Sequence, residues 1–430
     1  MTHNQLIACD LCNTEISLRF QVGYYNIPFN IYCPKCSTHI SGNIIIAQED
    51  IGLAIELENA QKVNYKDHSL DAKYYIAELS AEFPTKKLHV RSLKDYDLSP
   101  YMRNGQFYRD YEKAMDATRE AAVFAKFIKT DWGRFKTYFE LYWNHQDSIL
   151  YTRLEGEINK YDWIPLSKVT NDLDAAMALH QLLLTVTRVS HVLHPKALPE
   201  YTAIAKLMFS GGASLNEIIR FVQEQAFELN SIEKKAFRLV DIFSKIYSQL
   251  IPVVSLKNTD CLENVDREQY GITTASFETL TDFYAKSYEW ILDNIDIVIG
   301  LNNILAGRQY VNCINAKKFS SVLSVKNKIQ KLDYIDDTEP FSKPTASLKN
   351  RIRNAIQHFD SEIDYASQKI TFTDKHAGKT KKEELYLIDF AALCLENFDM
   401  IFYLLELVYN LRKVLLISQG ILPSCVPADQ

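Results

Sequence analysis

The pattern of apolar and polar positions changes character near Ser99-Pro100. Before that point, short segments carry the two-residue period of strands. Glu15-Ile-Ser-Leu-Arg-Phe-Gln-Val and Phe29-Asn-Ile-Tyr read as strands around a turn with Gly23, and Asn43-Ile-Ile-Ile-Ala and Gly52-Leu-Ala-Ile-Glu-Leu continue the β-branched or alternating pattern. Tyr74-Tyr-Ile-Ala-Glu-Leu repeats it more weakly. From Phe107 onward the three- and four-residue steps of helices take over. The spacing predicts helices over 107–130, 131–146, 172–193, 201–209, 214–228 and 231–250, with Pro195, Pro199 and Gly211-Gly212 as punctuation. A loop is expected over 252–275, then a long helix over 276–306 with Ser276 as its N-cap and Glu278 in its first turn. A polar linker with Pro340 and Pro344 precedes a helix over 346–359, a strand-like Gln368-Lys-Ile-Thr-Phe-Thr, and a long helix over 383–417. The expected fold class is mainly α with a small β-rich N-terminal part.

The chain has 430 residues, 47% hydrophobic and 24% charged, enough apolar material for more than one core. Its net charge of −6 excludes a protein that coats nucleic acid by bulk charge, so any RNA has to be met at a local basic site. The apolar stretch 385–416 contains Asp389, Glu396, Asp399, Glu406 and Arg412, which marks a buried helix and not a membrane span. Met1–Ala8 is short and polar, unlike a signal peptide, so a cytoplasmic protein with no membrane partner is expected.

Four of the eight cysteines form two tight pairs, Cys9/Cys12 and Cys33/Cys36, separated by 20 residues. Each C-x-x-C turn aims two thiolates at one point, and two such turns complete a tetrahedron around Zn²⁺. A redox dithiol needs only one pair. With all four thiolates on the ion no position stays open, so the zinc is expected to be structural. His39 is a loop histidine that could replace a cysteine, a reading the spacing makes the lesser one.

The segment Leu348-Lys-Asn-Arg-Ile-Arg353-Asn354-Ala-Ile-Gln-His358-Phe359 carries the candidate chemistry. On a helix, Leu348, Ile352, Ala355, Ile356 and Phe359 form an apolar stripe, and Asn350, Arg353, Asn354, Gln357 and His358 lie on the other side. Asn354 and His358 are one turn apart. That face offers a permanent cation, an amide and an imidazole, which are the parts RNA cleavage by the ribose 2′-OH requires: a proton carrier, and a cation that offsets charge on the phosphorane. The same composition also describes a solvated helix face.

Arg353-Asn354-Ala-Ile-Gln-His358 resembles the R-N-x-x-x-H form of the HEPN-domain signature. The flanking order over about 265–417 (a long helix, the motif helix, a strand-like insert, a long amphipathic helix) is similar to that family too. The resemblance implies a metal-independent endoribonuclease with a homodimeric composite site. In it Arg353 binds phosphate, His358 carries the proton, and Asn354 orients the histidine or the ribose. It also implies a toxin-like effector of abortive infection that answers a phage-derived or cellular trigger. Some relatives are not nucleases, so a non-catalytic scaffold that binds RNA or protein is the alternative. The expected organisation is a zinc ribbon over 1–45, a β-rich segment over 46–105, a helical regulatory region over 106–255 and a HEPN domain over 256–420.

Three other constellations have plainer readings. His191 and His194 end a helix just before Pro195 and suit its dipole, with His180 three turns earlier. The aromatic-rich Phe127–Trp143 reads as core with snorkelling cations. Lys375–Lys382 reads as a solvated basic loop that could also guide RNA.

Overall fold

The computed structural model describes residues 2–46, 52–64, 69–336, 341, 348–376 and 379–424. About 52% of the chain is helix and 19% strand, the strands gathered in several small sheets. Among the described residues, nine strands precede the first helix: β1 (Thr2–Cys9), β2 (Glu15–Gln21), β3 (Ile27–Tyr32), β4 (His39–Ile46), β5 (Leu53–Glu58), β6 (Ala60–Val63), β7 (Lys73–Leu79), β8 (Thr85–Lys86) and β9 (His89–Ser92). The helices are α1 (Pro100–Asn104), α2 (Tyr111–Thr130), α3 (Trp132–Trp143), α4 (Asp147–Ile158), α5 (Asp172–Thr185), α6 (Ala197–Met208), α7 (Gly212–Gln225), α8 (Leu229–Asn258), α9 (Phe277–Asp293), α10 (Ile295–Leu305), α11 (Phe319–Leu323), α12 (Asn350–Gln357) and α13 (Leu387–Ser418). Four later strands complete the list: β10 (Tyr270–Gly271), β11 (Ser361–Asp364), β12 (Lys369–His376) and β13 (Lys379–Tyr386).

The chain forms two compact units, each built from segments distant in sequence. The first comprises Met1–Ala125, Phe243–Ala285 and Lys349–Leu395. Its sheets run β6-β1-β2-β7-β9, β3-β4-β5, β8-β10 and β11-β12-β13, with β2 and β7 parallel. Alternation sets the core: Ile27, Phe29 and Ile31 of β3 point inward and join Ile7, Ile16, Leu18, Ile40, Ile44, Cys9 and Cys33. Buried polar groups lie nearby. Arg19 and Arg103 each donate to Glu78 at 2.5 Å, and Arg103 also reaches Asp97 at 2.9 Å. Two guanidinium groups on one fully buried carboxylate compensate its desolvation. Pro100 opens α1, and the Ser99 hydroxyl accepts from the Met102 amide.

The second unit comprises Lys126–Ile242, Lys286–Leu348 and Glu396–Gln430. Trp132, Phe135, Phe139 and Trp143 of α3 are buried, and Phe139 meets Phe237 at 4.5 Å between ring centroids. Helix α4, which the apolar spacing did not single out, buries Leu150, Leu154 and Ile158 at four-residue steps. A Cβ on Gly300 of α10 would lie 2.2 Å from the Phe221 ring of α7, so only glycine permits that approach.

Several boundaries differ from the sequence reading. The helix expected to 193 stops at Thr185, after which Arg188 turns left-handed at φ 64° and a 3-10 turn covers Val189–His191. Helix α8 runs on through Pro252 to Asn258, so the loop begins later than expected. The helix expected over 276–306 breaks at Asn294, whose buried side chain donates to the Trp290 carbonyl at 2.7 Å. The Ser276 hydroxyl receives the Thr279 amide at 3.4 Å, as expected of the N-cap. The long C-terminal helix starts at Leu387, because Lys379–Tyr386 pairs with β12 as a strand. The linker prolines and residues 346–347 of the expected motif helix lie outside the described residues. Helix α8 is long and apolar enough to cross a membrane, and 67% of its most apolar window is buried, as in the core helix of a soluble protein.

Candidate functional site

Two sites emerge in the first unit. At the first, β1 ends in Cys9 and β3 is followed by Cys33, and both turn the same way. Asn13 and Ser37 adopt φ 56° and 57°. The Asn13 amide returns to the Cys9 carbonyl and the Ser37 amide to the Cys33 carbonyl, each at 2.9 Å. These two knuckles bring the four sulfurs within 4.8 Å of one another. Cys9 and Cys36 are 3.7 Å apart, Cys12 and Cys33 3.4 Å. Tetrahedral Zn–S bonds of about 2.3 Å put sulfurs about 3.8 Å apart, so the donor set fits zinc.

The four thiols are unequal. Hydrogen bonding to Thr38 brings Cys36 down to about 6, and Thr14 likewise lowers Cys12. Burial pushes Cys33 up to about 11. A bound cation draws all four into the thiolate form. His39 stays outside this cluster: its Nε2 lies 3.2 Å from Asn30 Oδ1, and its ring stacks on Tyr365 at 5.1 Å.

At the second site, α12 buries Ile352 and Ala355 along the expected stripe, with Ile356 half-buried; Leu348 is buried too, but it precedes the helix, which starts at Asn350. Arg353 Nη1 donates to Asn354 Oδ1 at 2.9 Å, and both side chains are half-buried. His358 caps the helix, its amide bound to the Asn354 carbonyl at 3.0 Å. Its ring is exposed and makes no hydrogen bond among the described residues.

Phe359 departs from the stripe. It takes φ 56°, and the Asp360 amide closes on the Ala355 carbonyl at 2.8 Å, the six-to-one bond of a Schellman cap. This left-handed step swings the ring away from the core, leaving it 94% exposed. The helix thus carries a cation and an amide joined to each other, with an open imidazole one turn on and an exposed aromatic ring beside it.

The described residues of the expected basic loop are strand, Lys375 and His376 closing β12 and Lys379–Lys382 opening the antiparallel β13. Lys375 pairs with Asp360 at 2.6 Å, while Lys381 and Lys382 are exposed. Asn354 Nδ2 lies 3.5 Å from Asp374 Oδ1 of β12, a neighbour that motif spacing could not reveal.

The remaining histidines are held elsewhere. His180 is half-buried, its Nε2 lies 2.9 Å from Glu406, and its ring stacks on Tyr409 at 3.7 Å. The second unit also holds a cleft of about 620 Å³, bordered by Tyr142, Asn230, Lys234 and Arg412. Arg412 is buried against Glu233 at 2.5 Å, although in the sequence it reads only as an interruption of an apolar run. Comparison with family models, with curated proteins and with solved structures finds no match to this chain.

Proposed function

We propose that the chain is a HEPN-type endoribonuclease that cleaves RNA without a catalytic metal, with Cys9, Cys12, Cys33 and Cys36 holding a structural Zn²⁺. The observation that carries this reading is the arrangement on α12. Arg353 and Asn354 are coupled at 2.9 Å, and the open His358 imidazole follows one turn later. The resemblance of Arg353-Asn354-Ala-Ile-Gln-His358 to the family motif supplies the rest of the case.

Each chain offers one histidine and one motif arginine, which is half a site. A homodimer supplies both halves. His358 takes the 2′ proton as that oxygen attacks phosphorus. His358 of the partner subunit gives a proton to the departing 5′ oxygen. The P–O5′ bond breaks, leaving a 2′,3′-cyclic phosphate and a 5′-hydroxyl. Arg353 offsets the charge gathered on the phosphorane. DNA lacks the attacking hydroxyl and is not a substrate. The exposed Phe359 ring beside His358 is apolar surface that a second copy would cover.

In this reading the protein is a cytoplasmic, toxin-like effector of abortive infection. Its helical region over 106–255 answers a phage-derived or cellular trigger. Positioned proton transfer contributes about 10²–10⁴-fold to rate, so His358→Ala and Arg353→Ala should each lower cleavage at least ~100-fold while the protein still folds and dimerises. The assay is labelled RNA without added divalent metal, read for cyclic-phosphate ends, alongside growth on expression. Wild-type cleavage and toxicity in both variants would defeat the nuclease reading and leave the scaffold role.

A further inference from the structure

Directly opposed residues of an antiparallel ladder share a face. On β12, Ile370, Phe372 and Asp374 lie on one face, and the register adds Leu385, Glu383 and Lys381 from β13. Ile370 and Phe372 are fully buried, and α12 packs against both strands. Asp374 is half-buried and sits 3.5 Å from the Asn354 amide group. Lys381, directly across from Asp374, is exposed and forms no ion pair among the described residues. Lys382 and Lys375 fall on the opposite face, where Asp360 engages Lys375 at 2.6 Å. Strand alternation therefore splits the basic run and puts Lys381 on the side of Arg353 and Asn354.

We propose that this face of the hairpin completes the RNA site: Asp374 positions Asn354, and through it Arg353, while Lys381 binds a phosphate neighbouring the one that is cut. The proposal rests on the nuclease reading of α12. Charge decides the roles. A lone carboxylate would repel RNA, but Asp374 lies within reach of the amide of Asn354, whose oxygen accepts from Arg353, and Lys381 stands directly opposite it on the ladder. Glu383 shares this face, so its formal charges balance, and the phosphate contact rests on Lys381, the exposed side chain at its edge. A lysine at this edge acts as a point charge on phosphate and reads no base.

The test has two arms. In full-length protein carrying His358→Ala, binding of a fluorescein-labelled single-stranded RNA is followed by anisotropy across a salt series. Adding Lys381→Ala should weaken binding several-fold and reduce the log–log salt slope by about 0.7, the value of one single-strand phosphate contact. Adding Lys382→Ala should change neither. Equal behaviour of the two lysine variants overturns the phosphate contact and leaves the exposed lysine to some acidic protein partner.

In the protein with His358 intact, Asp374→Ala should lower kcat about tenfold at unchanged KM. Asp374→Asn, which keeps an acceptor for Asn354, should restore most of it. Wild-type turnover in Asp374→Ala, or no rescue by Asp374→Asn, overturns the positioning role. If His358→Ala and Arg353→Ala cleave like wild type, the nuclease reading falls and takes this proposal with it. If those two are inactive while Lys381→Ala and Asp374→Ala are unaffected, only the hairpin proposal fails.

Discussion

Phe359 combines a left-handed backbone with a ring that is 94% exposed. The first feature costs a non-glycine residue about 1 kcal/mol, and the second returns no burial. Phe359→Gly should therefore stabilise the chain by about 1 kcal/mol in chemical denaturation, and under the dimeric reading it should weaken self-association in sedimentation. A variant that is less stable and equally self-associated contradicts both arguments. His89 makes a second residue-level case. Its Nδ1 meets the Lys87 carbonyl at 3.0 Å, while Nε2 is buried with no partner among the described residues. Burial pushes its pKa below the ordinary histidine value. The folded state thus prefers the neutral ring, whereas the unfolded chain takes up a proton near pH ~6.5. Stability from this position is complete above that pH and is lost as pH falls toward the folded value. His89→Gln should flatten the fall in Tm between pH 7 and 5, and an unchanged slope would exclude this source. The Arg353–Asn354 contact joins neighbours in sequence, and the convergence of the four cysteines was legible because each C-x-x-C turn brings two of them together locally. Asp374, Arg103 and Arg412 were not, since each acquires its meaning from a residue on another element.

At the scale of elements, the strongest departures from the sequence reading arise where tertiary pairing outranks local preference. Lys379–Lys382 reads as basic loop and 383–386 as the start of the long helix, yet pairing with β12 fixes the whole of Lys379–Tyr386 as strand, because that register puts Leu385 opposite the buried Ile370. The break at Asn294 was hidden because one amide capping the preceding turn leaves the apolar period on both sides intact. Helices α8 and α13 show what an element can bury. Arg412 of α13 holds Glu233 of α8 through both carboxylate oxygens, at 2.5 and 2.7 Å, and Trp143 Nε1 donates to the same carboxylate at 2.8 Å. Glu233→Ala strands a buried guanidinium and should cost about 3–5 kcal/mol. The double variant Glu233→Met, Arg412→Leu removes both charges and should recover most of that loss. Urea midpoints of the two proteins decide the point, and a double variant no more stable than the single one would show that packing, not charge, sets the cost.

For the whole molecule, the segments visible in sequence and the compact units of the fold are different divisions, because each unit is assembled from three separate stretches of chain. Apolar period locates elements but carries no information on which distant stretches meet. The four-cysteine cluster shows the consequence within the first unit. Cys9 and Cys33 belong to the same buried cluster as Ile7, Ile16, Phe29 and Ile40, so the metal would tie β1 to β3 at the centre of that core. Beyond it, His39 of β4 stacks on Tyr365, which follows β11, linking the cysteine-bearing strands to the sheet under α12. Structural Zn²⁺ contributes its binding energy directly to folding. Native mass spectrometry should therefore find one zinc per chain. Stripping it with a thiol reagent and chelator should raise amide exchange first in β1 and β3, and then around Tyr365. Cys9→Ser should reproduce this more strongly than Cys36→Ser, because Cys9 is fully buried and Cys36 exposed. Zinc-free protein with undiminished protection in β1 and β3 would mean that the apolar cluster holds the two strands together unaided, and that the four sulfurs converge without any stabilising role for a metal.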